Sequence, residues 1–277
     1  MADSLPSLRE TVEKHGLMAQ KALGQNFLLD SNITDKIIRL SLERQGLNDF
    51  SGTYVFEVGP GPGGLTRSIL QQNPEKLTVI EMDPRCMAIM EELKAAGYAN
   101  LDIINHDALK IDFCRFPGRP KQIISNLPYN ISVPLLVGWL KQMPEYAALT
   151  LMFQKEVAAR ITAKPHSKDY GRISVLSQLI CRMDSLLELN PQCFVPAPKI
   201  WSEVLLFQPL SNRPDARQIA NLERLTTLAF GQRRKMLRQS LKSLPDFAAK
   251  AEAAGIDTSL RAEDLTPSQY LKLADLL

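Results

Sequence analysis

The chain has 277 residues, 33 Lys and Arg against 30 Asp and Glu, 45% hydrophobic and 23% charged content, and four cysteines. This composition excludes a disordered chain, which has too little apolar content to form a core, and at ~150 residues per domain it predicts one large domain with a smaller appendage. No run approaches the ~18 consecutive apolar residues of a membrane span, residues 1–15 carry no signal-type apolar stretch, and the chain reads as a cytoplasmic monomer without a membrane partner.

In chain order, strand-like apolar runs are expected over 53–58, 77–80, 101–104, 122–125, 148–154 and 201–208. Helices are expected between them over 62–72, 84–96, 134–142, 156–162 and 172–181. This alternation predicts an α/β fold, a mainly parallel sheet with helices on both faces, through residue 210. Pro209, Asn212 and Pro214 then mark a boundary, and the helical spacing over 219–230, 235–243, 245–254 and 267–276 predicts a small all-helical domain over 211–277. Cys86, Cys114, Cys181 and Cys193 form no C-x-x-C pair, and His15, His106 and His166 are as dispersed, so neither a metal site nor a disulfide framework is expected.

The first strand ends in Glu57-Val58-Gly59-Pro60-Gly61-Pro62-Gly63-Gly64. Glycines there let the backbone turn sharply and lie against a ligand at the carboxyl end of a strand. The phrase fits G-x-G-x-G and also, through Gly64, the dinucleotide spacing G-x-G-x-x-G. Pro60 and Pro62 remove N–H donors that a pyrophosphate would use, and Glu57 adds an acid, so a nucleoside ligand without a phosphate fits better. At the end of the second strand Glu81 can accept from both hydroxyls of a ribose, a task common to nicotinamide cofactors and S-adenosylmethionine. After the third, Asp107 can accept from an exocyclic adenine amine or cap a helix.

Directly after the fourth strand stands Ser125-Asn126-Leu127-Pro128-Tyr129-Asn130-Ile131-Ser132. Methyl transfer to an aromatic amine must redirect a nitrogen lone pair that is delocalised into the ring. The Asn126 side-chain oxygen and the Leu127 backbone carbonyl can hold the two N–H groups and favour a tetrahedral nitrogen, while Tyr129 stacks on the base. No strong general base is required, because the proton becomes acidic once the methyl has moved.

These phrases, with Gly24-Gln25-Asn26-Phe27-Leu28, Ile80-Glu81-Met82-Asp83, His106-Asp107-Ala108-Leu109 and Phe194-Val195-Pro196-Ala197-Pro198-Lys199, stand in the order of the rRNA adenine N6-dimethyltransferase family. The chain resembles that family over about residues 18–245 and, within it, the bacterial small-subunit branch. The resemblance implies a Rossmann-like S-adenosylmethionine-dependent methyltransferase domain over 1–210, with Asn26, Leu28, Gly59, Glu81, Asp107 and Asn126 holding the cofactor. Asn126 and Leu127 would serve the target amine, and Tyr129 and Phe194 would sandwich a flipped adenine. It further implies N6,N6-dimethylation of two adjacent adenosines near the 3′ end of small-subunit (16S) rRNA in an assembling 30S particle. Two departures lie beside the last motif: Ala197 stands between prolines where many relatives have a third proline, and Ile200-Trp201-Ser202 replaces a Val-Asp-Ser-like continuation.

Residues 211–250 hold nine cations and three acids, a local excess of +6 in a chain of net charge +3. Such a block suits a polyanion. With the resemblance, Phe230-Gly231-Gln232-Arg233-Arg234-Lys235-Met236-Leu237 nominates Arg233, Arg234, Lys235 and Arg238 for an RNA backbone, with Lys242 four residues on and Arg172 beside Gly171 as further cations. Two rivals are the sister branch acting on large-subunit rRNA, of macrolide-resistance type, and an assembly-binding factor on a methyltransferase scaffold; a nicotinamide dehydrogenase is more distant.

Overall fold

The computed structural model describes residues 5–17 and 26–277. Gly24 and Gln25 of the N-terminal motif lie outside the described residues. The first two helices begin where the sequence offers a cap. Ser7 and Glu10 form a capping box ahead of α1 (Leu8–Lys14). The short strand β1 (Phe27–Leu28) follows, and then α2 (Ser31–Gln45) starts behind Asp30, whose carboxylate accepts from Asn32 N–H, and stops at Gly46 with φ 71°.

The alternating elements come next: β2 (Tyr54–Val58), α3 (Gly64–Leu70), β3 (Lys76–Glu81), α4 (Pro84–Ala95), β4 (Leu101–Asn105), β5 (Lys121–Asn126), α5 (Tyr129–Lys141) and β6 (Tyr146–Gln154). They are followed by α6 (Lys155–Thr162), α7 (Arg172–Ile180), β7 (Cys181–Leu189), β8 (Phe194–Val195) and β9 (Ser202–Pro209). The C-terminal part carries α8 (Ala216–Gly231), α9 (Leu237–Ser240), α10 (Phe247–Ala253) and α11 (Pro267–Asp275).

Seven strands form one sheet in the order β4-β3-β2-β5-β6-β9-β7. β4, β3, β2, β5 and β6 run parallel, and β9 pairs antiparallel with β6. Val55, Leu77, Val79, Leu101, Ile123, Ile124, Leu149 and Leu151 are all fully buried, the continuous apolar filling of a sheet covered on both faces. The order reverses at β2, where β3 lies to one side and β5 to the other, and this switch point at the carboxyl ends of the strands is where such sheets bind ligands. A second sheet of two strands pairs β1 with β8, Phe27 opposite Val195 and Leu28 opposite Phe194.

The six expected strands are all present, but the structure adds β7, which the sequence reading missed. The expected 172–181 helix ends at Ile180, and Cys181 opens directly into that strand. Met183, Leu186 and Leu187 have helical spacing, yet β7 lies at the sheet edge, where partial exposure permits such a pattern and pairing overrides it. The 235–243 helix contracts to α9, because the Leu237 and Arg238 amides donate instead to Leu260 and Thr258 carbonyls at 2.8 and 3.0 Å. α5 begins at Tyr129, five residues before the expected start, with Pro134 inside it.

The chain falls into two compact units, the first comprising Met1–Gly138, Pro144–Lys155 and Asp184–Phe207, the second Trp139–Met143, Glu156–Met183 and Gln208–Leu277. The second unit thus draws in more of the chain than 211–277. Tyr170 and Val175 are buried in the same core as Leu222, Leu225, Leu237, Leu265 and Tyr270, and Tyr170 Oη donates to the Leu265 carbonyl at 2.9 Å. Among the described residues no helix is long and apolar enough to cross a membrane.

Candidate functional site

A cavity of about 700 Å³ opens at the switch point of the first unit. The glycine loop forms one wall, and two of its glycines are required by contact. A Cβ on Gly61, at φ 56°, would stand 3.0 Å from the Phe27 ring, and one on Gly64 would stand 2.6 Å from the Leu28 carbonyl oxygen. The loop and β1 are therefore packed backbone against backbone, which seats Asn26 and Leu28 in the cavity wall beside Gly59.

Glu57 lies at the cavity floor, 1% exposed, and accepts from Thr66 Oγ1 at 2.7 Å. Burial pushes its carboxyl up to about 8, against the pull of the Thr66 bond, with Glu81 adding repulsion. Glu81 ends β3, and its Oε1 accepts from the Met82 and Asp83 amides at 2.7 and 2.8 Å. Burial raises its carboxyl too, while those amides and that of Gly61 pull it down. Asp107 caps the short helical turn Ala108–Lys110, its Oδ1 accepting from Leu109 N–H at 3.0 Å. The capping reading of Asp107 is thus realised, and the residue lines the cavity as well.

Asn126, the last residue of β5, donates through Nδ2 to the Asn26 backbone carbonyl at 3.1 Å. A carbonyl can only accept, so this bond fixes which end of the amide is nitrogen and leaves Oδ1 as the acceptor end. Leu127 and Tyr129 continue the wall, and Tyr129 Oη shares a 2.8 Å hydrogen bond with Ser202 Oγ. Burial raises the Tyr129 hydroxyl above its ordinary range, opposed by the Ser202 bond, so it stays protonated near neutral pH. Asn26, Leu28, Gly59, Glu81, Asp107, Asn126, Leu127 and Tyr129 are thus brought to one cavity from residues widely spaced in the chain. Phe194 is not among the residues lining it: it is 2% exposed and packed in the core of the first unit, opposite Leu28.

The sequence matches the family described as Ribosomal RNA adenine dimethylase over residues 16–277. The chain belongs to this family. Ribosomal RNA small subunit methyltransferase A of Azorhizobium caulinodans is 48% identical over 278 residues, 99% of this chain and 93% of the relative. The protein of the same name from Rhodospirillum rubrum is 44% identical over 272 residues, 98% and 92% of the two chains. In fold, the chain resembles a dimethyladenosine transferase from Plasmodium falciparum with a TM-score of 0.71 at 24% identity, covering 88% of this chain and 94% of that one. It likewise resembles the 23S rRNA methyltransferase ErmE with a TM-score of 0.66 at 24% identity, covering 90% and 98%. The expected Rossmann-like methyltransferase fold is borne out.

In this dimethylase the nominated cations belong to the second unit, where they divide into two kinds. Arg234, Lys235 and Arg238 are exposed. Arg233 is turned to internal work: its guanidinium donates to the Lys168 and Ser167 carbonyls at 2.6 and 3.0 Å and pairs with Glu263. Three relationships escaped the sequence reading: the buried Glu57–Thr66 pair, the β1–β8 sheet that seats Asn26, and Ser202 as the partner of Tyr129. The last two join residues so far apart in sequence that no local pattern announces them.

Proposed function

We propose that this dimethylase transfers methyl groups from S-adenosylmethionine to N6 of two adjacent adenosines near the 3′ end of small-subunit rRNA, giving N6,N6-dimethyladenosine during small-subunit assembly. The observation that carries this reading is the orientation of Asn126, whose donor end is held by Asn26. Family membership supports the rRNA adenine, and relatives at 44% and 48% identity whose names specify the small subunit support that subunit over the large one.

The residues present fit the cofactor. Two loop prolines, which lack N–H donors, disfavour a diphosphate, while Glu81 offers a carboxylate to ribose hydroxyls and Asp107 one to an adenine amine. Gly59 would line the methionine end, and Asn26 and Leu28 would fold over the cofactor. The bound cofactor supplies an electrophilic methyl on a sulfonium.

The chain supplies position. Asn126 Oδ1 and the Leu127 carbonyl accept the two hydrogens of the adenine amine and direct its lone pair out of the ring plane. Tyr129 stacks on the extruded base, and its hydroxyl is tethered by Ser202 so that the ring keeps one orientation. Each transfer releases one N6 proton to water and with it one of the two acceptor bonds, so after the second none remains and the dimethylated base is released. Phe194, paired with Leu28 across the two-stranded sheet, supports this site through β1, and Arg234, Lys235 and Arg238 grip RNA phosphates with Arg233 as their brace. The protein acts as a monomer. Mapping of labelled methyl groups on small subunits that lack the modification tests the reading.

A further inference from the structure

The chain has two tryptophans, and they are placed oppositely. Trp139 is 2% exposed, whereas Trp201 is 45% exposed. An indole carries a large apolar surface, and one fixed on rigid backbone yet left in solvent is a ready stacking platform. Trp201 is fixed in this way. Its carbonyl accepts from the Lys155 N–H at 2.9 Å, and the Lys155 ammonium lies over the ring, 5.8 Å from its centroid. Lys155 also pairs with Glu188 at 2.7 Å, a surface contact that a phosphate can displace.

The indole's neighbour in the chain reaches the methyl-transfer site. The next residue, Ser202, holds the Tyr129 hydroxyl at 2.8 Å, and Tyr129 lines the cavity. On the preceding segment Val195, Pro196, Ala197 and Lys199 are exposed, so an apolar strip and a second cation adjoin the ring in sequence. All of these residues belong to the first unit.

We propose that Trp201 is a stacking platform for an unpaired base of the RNA that flanks the target adenosine, with Lys155 and Lys199 holding the adjoining phosphates. The proposal rests on the methyl-transfer reading above. Extruding one base removes a stacking partner from its neighbour, and an exposed indole with the Lys155 ammonium over its ring replaces that partner without reading sequence.

The test compares wild type, Trp201→Ala and Trp201→Phe on unmethylated small subunits and on a short rRNA hairpin carrying the target adenosines. Trp201→Ala is expected to raise KM for RNA by about 5- to 50-fold, with kcat and cofactor affinity nearly unchanged. Trp201→Phe, which keeps a ring, recovers most of the loss. In wild type the hairpin shields tryptophan emission from acrylamide quenching, and this change disappears in Trp201→Ala, because Trp139 is already buried. Normal methyl transfer by the wild type, together with an unchanged KM in Trp201→Ala and quenching indifferent to RNA, overturns the platform alone. Shielding that requires whole subunits and is missing with the hairpin also overturns it, in favour of a protein contact. No methyl transfer by the wild type overturns the parent reading and the platform with it.

Discussion

The Asn126 side-chain amide donates to the backbone carbonyl of Asn26 across 3.1 Å, joining the end of β5 to the residue that precedes β1. One hydrogen bond thus closes the cavity wall and orients the Asn126 oxygen. Asn126→Ala removes both the acceptor and the tie. Transfer in that variant is expected to fall by about 10²-fold or more, while RNA affinity is largely retained. Single-turnover rates alongside RNA binding check this, and wild-type turnover would remove Asn126 from its role.

Glu57 sets a pH dependence of stability. Its carboxyl is raised by burial to about 8 in the folded protein, so between its ordinary range and that value the native state binds the proton that the unfolded state has lost. Stability from this group is therefore fully present below about pH 4.5 and declines as pH rises toward about 8. Glu57→Gln keeps an oxygen for Thr66 and cannot ionise. Its melting temperature is expected to decline less than that of the wild type over this window. Parallel curves for the two proteins would contradict the buried, protonated carboxyl.

Gly64 allows the glycine loop to meet β1. A Cβ there would stand 2.6 Å from the Leu28 carbonyl, a backbone atom that cannot swing aside. Gly64→Ala is expected to destabilise the protein by roughly 1–3 kcal/mol and to raise KM for the cofactor, because β1 carries Leu28 and is preceded by Asn26. Calorimetry and cofactor titration measure the two effects, and an unaffected KM would detach β1 from the site.

The cations of the second unit separate by task. Arg233→Ala is expected to lower stability by about 1–2 kcal/mol, since its guanidinium spans the Ser167 and Lys168 carbonyls and Glu263. Replacing Arg234, Lys235 and Arg238 together by Gln is expected to leave the melting temperature nearly unchanged. In that variant the log–log salt slope of RNA binding decreases by about 2–3. An unchanged slope would contradict the phosphate grip.

The catalytic half of the fold was legible because parallel strands buried on both faces read as unbroken apolar runs, and because Glu57–Gly64, Glu81, Asp107 and Asn126–Tyr129 all sit at strand ends. β7 was not, since an edge strand tolerates the spacing of Met183, Leu186 and Leu187 that elsewhere means helix. The α2 signal was available: Asp30 as cap, Ile33, Ile37, Ile38 and Leu42 at helical spacing, and Gly46 as stop. Charge alone could not separate Arg233 from Arg234, because their difference lies in partners 30 or more residues away.

The most direct test of the central claim incubates the full chain with methyl-labelled S-adenosylmethionine and small subunits lacking the modification, and maps the labelled nucleotides. The account predicts N6,N6-dimethyladenosine at two adjacent adenosines near the 3′ end of the small-subunit rRNA, absent with Asn126→Ala. Label on another base of the small-subunit rRNA, or no incorporation at all, would contradict it.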